Sequence, residues 1–337
     1  MLNGTIEVLK DGLSKPRKIV ITTHQKPDGD AMGSSLGLYN YLVEKKHQVT
    51  VVTPTDYPSF LNWLPGNDLV ISAEQKKVAA EKAIAEADII FCLDFNALSR
   101  IVPIDSFVAD SLAYKVLIDH HLEPDDFPDL MFWNTKASST CELIFDFVHL
   151  LEDNPLISID TATCLYTGLL TDTGNFSNGA TTPKAMRLGA DLIEKGASFI
   201  DIQEKLHNNN LENKLRFLGN SLLNKMVIIP EIEFGYIYVN KEDSRKFNLQ
   251  SGDTEGLVNF PLSVKGVRIA ALIKEDMSMI KLSFRSKGEI NVNEFARQHF
   301  NGGGHKNAAG GRSNENLDKT IHRIIDLLKL EKAKKKY

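Results

Sequence analysis

A chain of 337 residues with 42% hydrophobic and 25% charged residues has the make-up of an ordinary globular protein, and its length predicts about two domains. The formal net charge of −5 argues against holding long duplex nucleic acid on a basic surface, while allowing a short anionic ligand bound in a local pocket or through metal ions. Three cysteines without C-x-x-C spacing, a start that lacks a basic-then-apolar pattern and the lack of any long apolar run predict reduced thiols, no signal peptide, no membrane span and a cytoplasmic protein.

Residues 1–16 read as a short amphipathic helix ended by Pro16. The apolar run 19–23 predicts a buried strand and 35–43 a helix. Between them His24, Asp28 and Asp30 occupy a strand-to-helix turn, the place where open α/β sheets carry their sites. A His and two carboxylates at H-x-x-x-D-x-D spacing suit a divalent cation, and Gly29 is expected to turn the backbone between the two Asp residues. The competing reading is an Asp-rich turn that caps a helix.

Residues 48–53 form the next predicted strand and close a βαβ unit. A turn-rich stretch at 61–66 and a helix at 79–87, with Glu81, Lys82 and Glu86 outward, lead to a strand at 88–93 that buries Cys92 and ends at Asp94. The strand at 114–118 ends in Asp119-His120-His121, and a shorter one is expected at 130–133. Ser138-Ser139-Thr140-Cys141-Glu142 has the hydroxyl caps and early Glu of a helix start. A helix at 161–170 runs into a turn holding Asp172, and helices after Pro183 and Ser198 close the first domain.

The apolar pattern lapses near His207, so 206–225 is read as a connecting helix or hinge between domains at 1–205 and 226–337. The second domain is predicted from strands at 226–229, 235–239, 267–273 and 279–284 and helices at 292–300 and 317–330, with a basic tail read as a solvated helix end. The expected fold is α/β: a mostly parallel, doubly wound N-terminal sheet hinged to a smaller mixed α/β domain. Strand C-termini lie along one edge of such a sheet, so His24, Asp28, Asp30, Asp94, Asp119, His120, His121 and Asp172 can converge. Clustered carboxylates repel one another unless cations neutralise them, which favours a site for two ions.

The segments H-x-x-P-D-G-D-A-x-G-S, L-D-F-N, I-D-H-H and T-D-T-G-N-F resemble the four motifs of the DHH phosphoesterase superfamily. Residues 302–311, G-G-G-H-K-N-A-A-G-G, resemble the glycine-rich signature of its DHH-associated C-terminal domain, and the motifs together span 24–311. The compact length resembles the oligoribonuclease and 3′-phosphoadenosine 5′-phosphate phosphatase branch. That resemblance implies hydrolysis of very short RNA and of the 3′ phosphate of that nucleotide by a hydroxide activated between two divalent ions, usually Mn2+, with Mg2+ or Co2+ also compatible. It implies that His24 and Asp28 bind one ion, that Asp30, His120 and Asp172 serve the second, and that Asp94 bridges both. Asp119 would orient a neighbouring His or ligand, and His121 would face the scissile phosphate as a donor, making Asp94, Asp119 and His121 the catalytic set.

Arg100 stands where the family often places an arginine near the phosphate, with a surface role as the alternative. Arg285, Gly302, Gly303, Gly304 and His305 are expected to bind the far end of the substrate, the glycines as an anion-binding loop of the kind that precedes a helix. Where some members carry a second acidic residue after the motif-two Asp, this chain has Phe95-Asn96-Ala97. The partners implied are short RNA oligonucleotides or small phosphorylated nucleotides, and apolar helix positions fit a homodimer face or a core equally. Hydrolysis of linear or cyclic dinucleotides, an exopolyphosphatase-like activity and a non-catalytic nucleotide sensor are the alternatives.

Overall fold

Six parallel strands organise the first of two units, Met1–Asn209. In chain order its elements are β1 (Leu2–Asn3), α1 (Ile6–Gly12), β2 (Lys18–Thr23), α2 (Gly29–Glu44), β3 (Gln48–Thr53), β4 (Ile71–Ser72), α3 (Lys77–Ala85), β5 (Ile89–Leu93), α4 (Asp105–Asp110), β6 (Tyr114–Asp119), β7 (Leu130–Trp133), α5 (Thr140–Leu150), α6 (Ile159–Asp172), α7 (Pro183–Glu194) and α8 (Phe199–His207). The computed structural model describes residues 2–3, 6–207, 211–250, 252–276 and 278–334. Residues 208–210 of the expected connecting segment, 1, 4 and 5 of the expected entry helix and 335–337 of the basic tail lie outside these.

The strand order is β1-β7-β6-β5-β2-β3-β4. Central strands read as near-continuous apolar runs because both of their faces are covered. Ile19, Ile21, Phe91, Leu93, Val116 and Ile118 enter the core under α2, α5 and α6, whereas Val20, Ile90, Cys92 and Leu117 face the core that holds Ala80 and Ile84 of α3 and Val108 of α4. This is the doubly wound sheet expected from the sequence. Among the described residues no helix is long and apolar enough to cross a membrane.

Two expectations need correction here. The N-terminal stretch is not one helix to Pro16: Leu2 and Asn3 pair antiparallel with Phe132 and Met131, and α1 ends at Gly12. The open ladder of β7 supplies hydrogen-bond partners that a local helix pattern does not reveal. Asp172 is the last residue of α6 rather than part of a following turn.

The second unit, Asn210–Tyr337, begins with α9 (Glu212–Asn220), which passes into a π-helical turn at Ser221–Lys225. It continues through β8 (Met226–Ile229), β9 (Phe234–Val239), α10 (Lys241–Lys246), α11 (Asn259–Ser263), β10 (Ile269–Glu275), β11 (Ile280–Ser286), α12 (Val292–Phe300), β12 (Gly303–His305), β13 (Ala308–Ser313) and α13 (Leu317–Ala333). The sheet order is β12-β13-β11-β10-β9-β8, parallel only between β9 and β10. One core gathers Phe284, Phe295, Phe300, Ile324 and Leu328; the other gathers Phe217, Ile237, Val239, Val258, Ala270 and Leu272.

The glycine run is therefore not a loop leading into a helix. Gly303, Gly304 and His305 form an edge strand hydrogen-bonded to Gly310, Ala309 and Ala308. A Cβ at Gly302 would collide with the Gly310 carbonyl, so close approach of the hairpin's own strands accounts for glycine there. Arg285 lies inside β11 rather than after it.

Candidate metal centre

Strand order reverses between β2 and β5: the chain winds from β2 to β3 and β4 on one side, and from β5 to β6 and β7 on the other. Ligands of open α/β sheets bind at this kind of switch point, beyond the strand C-termini. His24 follows β2, Asp94 follows β5, and Asp119-His120-His121 ends β6. Asp94 takes a left-handed backbone (φ 63), a conformation that non-glycine residues adopt sparingly and that clusters at functional turns.

Asp28 is the N-cap of α2: its Oδ1 accepts from the Asp30 and Ala31 amides, both at 3.1 Å. The cap and the acidic cluster thus coincide. Gly29 is the first residue of the helix instead of a turn between the two Asp residues, and a Cβ on it would strike the Thr171 side chain. Farther along α2, a Cβ at Gly33 would lie 2.6 Å from the Cys164 carbonyl oxygen and 2.9 Å from the Gly168 amide nitrogen. Absence of side chains at Gly33 and Gly168 lets α2 and α6 touch backbone to backbone, which brings Asp30 in the first turn of α2 near Asp172 at the end of α6.

Within the first unit, ligand atoms of the described residues fall into three sets, each within 4.8 Å of one another: His24, Asp28 and Asp94; Asp30, His120 and Asp172; and Asp94, Asp119 and His121. Asp94 touches both imidazole sites. Its Oδ2 lies 3.4 Å from His24 Nε2, and its Oδ1 lies 3.5 Å from His120 Nε2 and 3.7 Å from His121 Nδ1. His120 Nε2 also stands 3.6 Å from Asp172 Oδ2 and 3.8 Å from Asp30 Oδ2, and His24 Nε2 stands 3.9 Å from Asp28 Oδ1.

Both imidazoles spend their other nitrogen on a backbone carbonyl, His24 Nδ1 on Gln25 at 2.8 Å and His120 Nδ1 on Ala137 at 3.3 Å. That arrangement fixes the tautomer and turns an Nε2 lone pair toward the carboxylates, as metal-ligating histidines require. The Nε2-to-carboxylate separations exceed ordinary hydrogen-bond lengths and suit donors that share a cation.

Electrostatics agree. Burial and the charges of Asp94 and Asp172 push the Asp30 carboxyl well above its usual range. Burial opposes charge on His24 and His120, yet Asp94, with Asp28 beside His24 and with Asp172 and Asp30 beside His120, raises both imidazoles above their ordinary value. Burial likewise opposes charge on Asp94, but His120 and His24 outweigh it and hold this carboxyl well below the usual range. A mixed imidazole and carboxylate donor set of this kind fits Mn2+ or a related divalent ion.

Arg100 is half-buried, and its charge opposes protonation of His24, which places it beside the cluster. Its carbonyl also accepts the Gln25 amide at 2.8 Å. Arg285, Gly302, Gly303, Gly304 and His305 belong to the second unit. Arg285, Ala308 and His305 are register partners across β11, β13 and β12, so their side chains share one sheet face.

Four residues that support the centre went unread in the sequence. The amides of Thr140 and Cys141 donate to Asp30 Oδ2 and Oδ1 at 2.6 and 3.0 Å, and Thr140 Oγ1 donates to Asp94 Oδ1 at 2.9 Å. Asn96 Nδ2 donates to the Leu122 carbonyl at 2.7 Å, and Trp133 Nε1 donates to that of His121 at 2.7 Å; together they tie down the backbone of His121 and Leu122. The run 138–142 signalled only a helix start, because nothing in it tells which neighbours its caps meet.

Residues 18–169 match the DHH family, N-terminal domain, and residues 231–330 match the DHHA1 domain. The bifunctional oligoribonuclease and PAP phosphatase NrnA of Thermus thermophilus is 30% identical over 327 residues, which cover 95% of this chain and 91% of that protein. The chain belongs to the DHH family. Among solved structures, an exopolyphosphatase-related protein from Bacteroides fragilis is 38% identical, covers 98% of this chain and 97% of its own, and superposes with a TM-score of 0.94. The cyclic-di-AMP phosphodiesterase PdeA of Listeria monocytogenes is 27% identical over 90% of this chain but only 46% of its own length. As a DHH phosphoesterase the chain is a hydrolase of phosphoester bonds, and enzymes of this family depend on metal ions.

Proposed function

We propose that this DHH-family enzyme hydrolyses very short RNA oligonucleotides and removes the 3′ phosphate of 3′-phosphoadenosine 5′-phosphate. The observation that carries this reading is the nearly end-to-end match with a protein named for both activities, across the catalytic and the DHHA1 regions alike. A full donor set at the switch point adds to that match.

His24, Asp28 and Asp94 are assigned to one divalent ion, and Asp30, His120, Asp172 and the second oxygen of Asp94 to another, with Mn2+ as the proposed metal. When bound, such ions supply positive charge to the phosphoryl oxygens and acidify the attacking water. Asp94 keeps the two donor sets in register. Asp119 holds His121 by Nδ1, and we assign proton exchange with the leaving group to His121 Nε2. Arg100 is assigned to the scissile phosphate. Arg285, His305 and the glycine hairpin are assigned to the distal end of the substrate, where phosphate contact gives little base specificity.

A second reading, an exopolyphosphatase-like activity, is favoured by the 38% identical structural relative. Parallel turnover with Mn2+ on a dinucleotide RNA, a longer single-stranded RNA, 3′-phosphoadenosine 5′-phosphate, a cyclic dinucleotide and polyphosphate separates the two. Preference for the dinucleotide, with release of phosphate from the 3′-phosphorylated nucleotide, is the expected result. Preference for polyphosphate supports the second reading, preference for the cyclic dinucleotide points to signalling chemistry, and no turnover with metal bound contradicts an enzymatic role.

A further inference from the structure

The N-terminal turn of α5 contributes no proposed ligand, yet it contacts two of them. Oδ1 of Asp94 faces His120 and His121, and Oδ2 faces His24. A carboxylate that serves two donor sets must keep each oxygen on its own side. Rotation about its terminal torsion is soft, because the well for such sp³–sp² bonds is broad. Packing alone does not distinguish the two oxygens, since they have the same size. A hydrogen bond to one of them does.

Thr140 Oγ1 donates to Asp94 Oδ1 at 2.9 Å, and both groups are buried, Thr140 at 0% and Asp94 at 2% exposure. The Thr140 amide, from the same residue, holds Asp30 Oδ2 at 2.6 Å. One residue therefore touches a ligand assigned to both ions and a ligand assigned to the second. We propose that Thr140 is a positioning residue that fixes the rotation of the Asp94 carboxylate and so sets the geometry of the two-ion site; this rests on the metal-centre reading above.

The turn that carries Thr140 is itself anchored from outside the site. Glu142, 2% exposed, accepts from the Ser138 amide at 3.0 Å and from the Ser138 hydroxyl at 2.6 Å. Its other oxygen pairs with Lys184 of α7 at 3.1 Å, and Ser139 Oγ caps the helix by accepting the Glu142 amide at 3.1 Å. A buried carboxylate paired in this way resists displacement, since losing a partner would leave a charge uncompensated. The network anchors the turn that carries the Thr140 hydroxyl.

The test is Mn2+ titration of the full chain by calorimetry, with Mn2+ alone as the probe, on the wild type and on Thr140→Val, Thr140→Ala and Thr140→Ser. The Val variant keeps the shape and removes the donor; the Ala variant serves if Val disturbs folding, which thermal unfolding reports. The expected result is two ions per wild-type chain and a loss of affinity of about 10–100-fold in the variants without a hydroxyl, the range typical of groups that orient metal ligands. Thr140→Ser should recover most of that loss. Two ions bound with wild-type affinity by Thr140→Val or Thr140→Ala would overturn the proposal, as would a loss that Ser fails to restore. A wild type that binds fewer than two ions would instead overturn the metal-centre reading, so the two failures are distinguishable.

Discussion

Oδ1 of Asp119 lies 2.7 Å from Nδ1 of His121, and Asp119 is fully buried. A carboxylate can only accept, so Nδ1 carries the proton and the ring is held in one tautomer and one orientation. Asp119→Asn puts an amide donor against that proton or forces the ring to turn. We expect kcat to fall about 10–100-fold with Mn2+ binding retained. Steady-state kinetics on a dinucleotide RNA, paired with Mn2+ titration, check this; an unchanged kcat would remove Asp119 from its assigned role.

Metal binding should depend on pH in one direction. His24 and His120 are raised above their ordinary value and Asp30 is raised well above its own, so protons compete with a cation at all three. Ligands bind as neutral imidazole or carboxylate. Affinity for Mn2+ should therefore rise with pH and weaken as pH falls through these raised values, by about tenfold per pH unit for each proton released. Calorimetry in buffers of different ionisation enthalpy measures the protons released, and a pH-independent affinity would contradict the assignment.

Helix contact between α2 and α6 depends on Gly33. Alanine there places a Cβ 2.6 Å from the Cys164 carbonyl oxygen, and backbone on both sides leaves little room to yield. Overpacking of this kind costs about 1–3 kcal/mol. The denaturant midpoint of Gly33→Ala should shift accordingly with an unchanged m-value, and Mn2+ affinity should drop with it because Asp30 and Asp172 ride on these two helices. Wild-type stability would show that the helices separate freely.

Arg285 is assigned to substrate and not to metal. Removing a charged hydrogen-bond donor costs about 1.5–3 kcal/mol, so Arg285→Ala should raise KM by about 10–100-fold on the preferred substrate while leaving Mn2+ stoichiometry intact. An unchanged KM on every substrate would take Arg285 out of the site.

The parallel strands and their acidic termini were legible because apolar runs and the residues that end them are local in sequence. His24, Asp94 and Asp119-His120-His121 each sit within one or two residues of a strand end, so predicting the sheet also placed them on one edge. Thr140 was not legible in the same way. Its partners Asp30 and Asp94 are far away in sequence, and Ser-Thr runs at helix starts look alike whatever they bind.

The hairpin of β12 and β13 was misread as a loop for a related reason: glycine gives neither an apolar period nor a side chain to pair. Pairing of Leu2 and Asn3 with β7 was hidden because an edge strand two residues long leaves no pattern of its own.

We assign to Asp94 the joining of two divalent ions into one centre for phosphoester hydrolysis. It is tested most directly by Mn2+ titration followed by electron paramagnetic resonance on the wild type and on Asp94→Ala, with turnover of a dinucleotide RNA measured on the same samples. The expected result is a spin-coupled Mn2+ pair in the wild type, and in Asp94→Ala no coupling, weakened binding at both sites and turnover lost. A coupled pair with near-normal turnover in Asp94→Ala would contradict it.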